Sequence, residues 1–141
     1  MTLDSSQFRL HDLSQFPMCL FRSTEATEGY ASTWIAEMEA LVAAGKPFTV
    51  VYQALGDEAH EDRKQRGLWL KRNKVELGAV CQATITVEPD AKRRAELEAW
   101  AEGAVKAFGI PHKAVPTLAD AAAVTLELCV NDTRGHAPAD A

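Results

Sequence analysis

Residues 48–55, Phe-Thr-Val-Val-Tyr-Gln-Ala-Leu, form a continuous, largely apolar run of strand length, with Pro47 before it and Gly56 behind it. A strand exposed on one face alternates apolar and polar side chains. A run without alternation, rich in β-branched and aromatic residues, predicts a strand buried on both faces, the central position of a helix-covered sheet. Charge arrives abruptly afterwards, in residues 57–74. The strand is therefore expected to deliver a polar loop at its C-terminal end.

The chain alternates around this run. Phe8 and Leu10 alternate with Gln7, Arg9 and His11, a short strand signal; residues 12–15 are expected to turn the chain into a second strand over 16–22. Pro17 lacks a donor and belongs at a strand start or edge, and the two strands should form an antiparallel hairpin. A first helix opens at Thr27 as N-cap, carries Tyr30, Trp34, Met38 and Leu41 at helical spacing, and closes at Gly45. A second starts between Asp57 and Glu61 and runs to about Val80, its stripe of Trp69, Leu70, Asn73, Leu77 and Val80 facing the sheet. Gly67 is its expected weak point.

Residues 82–88 read as another strand. Asp90 then caps a third helix with a stripe of Leu97, Trp100, Ala101, Ala104 and Phe108, ended by Gly109. Residues 112–115 form a short strand, and the capping-box-like Thr117-Leu118-Ala119-Asp120 opens a last helix reaching about Cys129. Residues 131–141 read as a polar, disordered tail. The alternation predicts an α/β fold: one mixed, mostly parallel sheet of four to five strands with about four helices.

A chain of 141 residues makes one domain, with its core over about 8–130. The formal charge of −5 argues against a nucleic-acid partner, because such domains are normally basic. Cys19, Cys81 and Cys129 are odd in number and far apart, a pattern of reduced core thiols rather than a disulfide framework. Residues 1–7 carry no signal-peptide pattern, and no apolar run reaches the ~20 residues of a membrane span. A cytoplasmic location with no membrane partner is expected.

Thr27-Glu28-Gly29-Tyr30 at the first helix start, the run from Phe48 to Gln53, and Thr117-Leu118-Ala119-Asp120-Ala121-Ala122-Ala123 follow one another in this order of elements. In layout, over roughly residues 8–130, the chain resembles the STAS-like group of the anti-sigma-factor-antagonist superfamily. The resemblance implies an N-terminal strand pair leading into three strand–helix units. Phospho-switched members of that superfamily carry an Asp-Ser-type step after the central strand. Residues 56–62 here, Gly-Asp-Glu-Ala-His-Glu-Asp, offer no hydroxyl group. The resemblance thus implies the fold and not that switch.

Ligands of parallel sheets gather at the carboxyl ends of the strands. Two groups of candidate binding residues lie there: Ser23 and Thr24, a hydroxyl loop that could cradle an anion at a helix start, and Asp57, His60 and Glu61, a possible general base or ligand set. Both have bland explanations: ordinary N-capping for the first, and acids complementing the helix dipole for the second. No GxGxxG, Walker A, GxSxG or HExxH pattern occurs, so no catalytic residue, cofactor or metal is expected. The second helix carries Leu68, Val75 and Ala79 among Lys64, Lys71 and Arg72. That mixture reads either as a solvated face or as a contact surface. The resulting expectation is a non-enzymatic interaction or regulatory module that forms a homodimer or binds another protein. The alternative is a small-ligand or anion binder, or an enzyme, using the strand ends.

Overall fold

The computed structural model describes residues 5–53 and 59–131, with the side chains of Ser5, Ser23, Asn131 and residues 104–108 left aside. Strands β1 (His11–Gln15) and β2 (Met18–Phe21) form an antiparallel hairpin, pairing His11 with Phe21 and Gln15 with Met18. Strands β3 (Phe48–Tyr52), β4 (Cys81–Val87) and β5 (His112–Val115) extend the sheet, each parallel to its predecessor. Spatial order equals chain order, β1-β2-β3-β4-β5. The sheet is thus α/β and mostly parallel, as expected.

β3 occupies the centre because both of its faces are apolar or hydrogen-bonded. Phe48 and Val50 join one core with Trp34, Met38 and Leu41 of helix α1 (Ala31–Ala44), Trp69 of α2 (His60–Arg72) and Leu77 of α3 (Lys74–Val80). Val51 joins a second core on the other face, with Met18, Ile85, Val115 and Ala121 of helix α5 (Leu118–Leu126). The buried Thr49 also faces that side. Its hydroxyl lies 2.7 Å from that of Thr125, which donates to the Ala121 carbonyl at 2.9 Å. Helix α4 (Ala91–Phe108) packs along β5.

Local signals hold at several boundaries. Gly45 and Gly109 adopt left-handed φ values of 71° and 73°, as helix ends require. Asp90 accepts the Arg93 amide, and Thr117 accepts the Asp120 amide at 3.1 Å. Asp120 answers by accepting the Thr117 hydroxyl proton, a variant of the capping box.

Three expectations are corrected. Residues 12–15 are not a turn: they belong to β1, and the reversal falls at Phe16 and Pro17, where the Phe16 amide bonds the Leu13 carbonyl. The long second helix breaks at Asn73 rather than Gly67, so the helices number five rather than about four. Asn73 has φ −110° and donates its amide to the Trp69 carbonyl, which satisfies the polar side chain placed in an apolar stripe. Trp100 does not join the core. It is 65% exposed, because α4 lies against β5 and buries Ala101 there. The last helix does reach about Cys129: α5 gives way to a π-helical turn over Glu127–Asn131. The expected tail over 132–141 lies outside the described residues.

One buried acid ties the N-terminal segment to the body. Glu37, 5% exposed on α1, accepts the amides of Arg9 (2.8 Å), Leu10 (3.0 Å) and His11 (3.0 Å). It also receives His11 Nδ1–H at 2.8 Å, and the imidazole is fully buried. Burial works to raise the Glu37 carboxyl, but the His11 bond and the backbone amides outweigh it and leave the group below its ordinary range.

Candidate functional site

The parallel strands end along one rim, at Phe21, Tyr52, Val87 and Val115. Helices α1 and α2 start beside this rim. Asp62, in the first turn of α2, is 4% exposed and aims its carboxylate at the start of α1. Its oxygens accept the amides of Gly29 (2.8 Å) and Ala31 (3.1 Å). The first amides of a helix have no intrahelical acceptor and carry the positive end of the helix dipole, so a carboxylate is held there by bonds and charge together. Thr27 is therefore not the N-cap of α1. The cap position is Tyr30, whose side chain makes no capping bond, and Asp62 supplies the acceptor from a different helix.

Arg66, one turn further along α2, lays its guanidinium over the Trp34 ring at 5.2 Å and near that of Tyr30 at 6.0 Å. Trp34 meets Trp69 edge-on at 5.4 Å, and the Trp69 indole N–H donates to Glu39. Burial raises the Tyr52 hydroxyl against the opposing charge of Arg66. These side chains pack the space behind the end of β3 with the protein's own groups.

Between the two helix starts lies an open cleft of about 290 Å³, lined by Glu28, Gly29, Ser32, Glu61, Asp62 and Gln65 among others. Of the candidate binding residues, Glu61 lines it and accepts a bond from Gln65 at 3.1 Å. His60 is exposed and is not part of the lining. Thr24 is exposed in the short 3-10 turn Ser23–Glu25. The Ser23 side chain and all of Asp57 lie outside the described residues. The cleft sits at the small end of ligand pockets, and both Asp62 oxygens and one Glu61 oxygen in it already have donors.

The outer face of α2 and α3 differs. Leu68 is 43% and Val75 81% exposed, and Lys64, Lys71, Arg72 and Ala79 around them are exposed too. Among the described residues, Lys64, Lys71, Arg72 and Lys74 have no ion-pair partner. Residues 60–75 hold six of the chain's fifteen Lys and Arg but two of its twenty acids, and one of those two is the buried Asp62. The remainder of the chain is strongly acidic.

Two features were missed at the sequence level. Glu37 falls within the apolar stripe of α1 beside Trp34, Met38 and Leu41, and that interruption was the available signal. His112 is half-buried on β5, with Nε2 2.9 Å from the Thr86 hydroxyl and the Trp100 ring edge-on at 6.1 Å; burial lowers its pKa. Nothing in the sequence marked it. Among the described residues, no group of three His, Cys, Asp or Glu could hold a metal, and no helix is long and apolar enough to cross a membrane. No family model, curated protein or solved structure matches the chain.

Proposed function

We propose that this chain is a small, non-enzymatic interaction or regulatory module of STAS-like layout that docks a protein on the outer face of α2 and α3. The carrying observation is the exposure of Leu68 and Val75 within a ring of bases that lack ion-pair partners among the described residues. Isolated exposed apolar residues are common, but Leu68 lies on one face of α2 with Lys64, Lys71 and Arg72, and the exposed Val75 follows on α3 past the break at Asn73. The hairpin followed by successive strand–helix units supports the STAS-like layout.

The partner is a second copy or another protein, and sedimentation velocity over a concentration series separates these. A dimer that Leu68→Glu dissociates supports self-association through this face. A monomeric wild type leaves a different protein as the partner. If the wild type is monomeric and also fails to bind the acidic peptide described below, the reading is lost. The alternative, ligand binding at the strand ends, has less support: His60 stands outside the cleft between the starts of α1 and α2.

A further inference from the structure

We infer that the partner of this face is an acidic amphipathic helix of another protein, rather than a second copy of the chain. This inference rests on the interaction reading above and specifies its partner. Lys64, Lys71 and Arg72 are exposed beside Leu68 on α2, whose one exposed acid is Glu61; Val75 follows on α3 next to the exposed Glu76, and the Lys74 stem lies against Gly109. A two-fold interface sets the same patch against itself. Antiparallel pairing of α2 with itself about Leu68 places Lys64 opposite the second copy's Arg72. The register that buries Leu68 against its own copy brings like charges together, at a cost in affinity and specificity.

The surface instead complements negative charge carried beside apolar anchors. Leu68 shares one continuous face of α2 with Lys64, Lys71 and Arg72, at i−4, i+3 and i+4, the spacing at which a helix presents an anchor and its flanking charges to another helix. The basic ring supplies partners for Glu or Asp flanking that stripe. A polyphosphate backbone would leave the two aliphatic side chains without a counterpart. An anionic lipid surface would meet a chain whose remaining residues include eighteen acids and nine bases, with no exposed aromatic residue on this helix face to insert.

The test uses the full chain and a dye-labelled synthetic helix of three Leu-Ala-Glu-Leu-Glu-Glu-Ala repeats, read by fluorescence anisotropy. Saturable binding is expected, weakened about tenfold or more by Leu68→Glu and by Lys71→Glu, and unchanged by Lys113→Glu on β5. Raising salt from about 50 to about 500 mM should weaken it as well. A peptide with Ser at the Leu positions should bind about tenfold more weakly, and one with Lys at the Glu positions should not bind. Circular dichroism confirms that the variants fold.

Equal binding by wild type and Leu68→Glu overturns the inference, as does stronger binding to single-stranded DNA or to vesicles of phosphatidylserine. A dimer that Leu68→Glu dissociates also overturns it, while leaving the face an interface and the proposed function intact. Absence of both dimer and peptide binding removes the two together.

Discussion

Replacing Glu37 should be the most damaging single polar change in the molecule. In Glu37→Ala, the amides of Leu10 and His11 and the Nδ1–H of His11 lose their acceptor inside the core. A buried donor without a partner costs about 1–3 kcal/mol. Local rearrangement and water entry recover part of three such losses, so a net destabilisation of about 3–5 kcal/mol is expected, the range for breaking a buried charged pair. Glu37→Gln keeps one acceptor oxygen but turns an NH₂ toward the remaining donors, so about 2–3 kcal/mol is expected.

Urea unfolding followed by tryptophan emission suits this measurement, because Trp34 and Trp69 sit together in the same core. The pH dependence supplies a second reading. The folded Glu37 carboxyl lies below its ordinary value, so its contribution is fully present above the unfolded glutamate pKa and is lost as pH falls through the folded pKa. The gap between wild type and Glu37→Gln should therefore be constant from neutral pH down to about 5 and shrink below about 4.5. A loss under about 0.5 kcal/mol in Glu37→Ala would refute the latch, as would a gap that widens in acid.

Other outcomes follow from the same contacts. Asp62→Ala leaves the Gly29 and Ala31 amides without their acceptor and should cost about 1–3 kcal/mol in chemical denaturation, with faster amide exchange in the first turn of α1. Thr125→Val strands the Thr49 hydroxyl and should cost about 1–3 kcal/mol, whereas Thr49→Val leaves Thr125 bonded to the Ala121 carbonyl and should cost under about 1 kcal/mol; equal losses in thermal unfolding contradict that donor order. Burial pushes the Cys81 thiol up to about 12 and Cys129 to about 11, and raises Cys19 further. All three should resist a disulfide reagent at pH 8 until urea is added, and rapid native labelling would count against that burial.

Much of the fold was legible because it is encoded within short windows. The unalternating run at Phe48–Tyr52 announces a central strand, Gly45 and Gly109 announce helix ends, and Thr117 announces a helix start. The polar contacts that lock the fold are of another kind. Asp62 serves an amide 33 residues away, and Glu37 serves one 28 residues away. A one-dimensional reading assigns Asp62 to its own helix dipole, since the local explanation is sufficient. Trp100 was misplaced because its spacing describes a stripe without saying how much sheet lies beneath it. At β5, the outermost strand, there is too little. The outer face of α2 was readable from composition, whereas the lack of ion-pair partners for Lys64, Lys71 and Arg72 among the described residues depends on which acids the fold brings near.

The identity of spatial and chain order also has a temporal side. Every strand after the first lies beside a strand that has already left the ribosome, so the sheet can grow by accretion without waiting for a distant partner. The face under α5 is the exception. Met18, Val51 and Ile85 belong to a core completed only when α5 arrives, and the Thr49–Thr125 bond closes 76 residues of chain. Until then, the growing molecule presents an apolar sheet face to its surroundings. Pulse-labelled hydrogen exchange during refolding should protect β2 and β3 before α5, and the reverse order would show that the last helix nucleates the sheet.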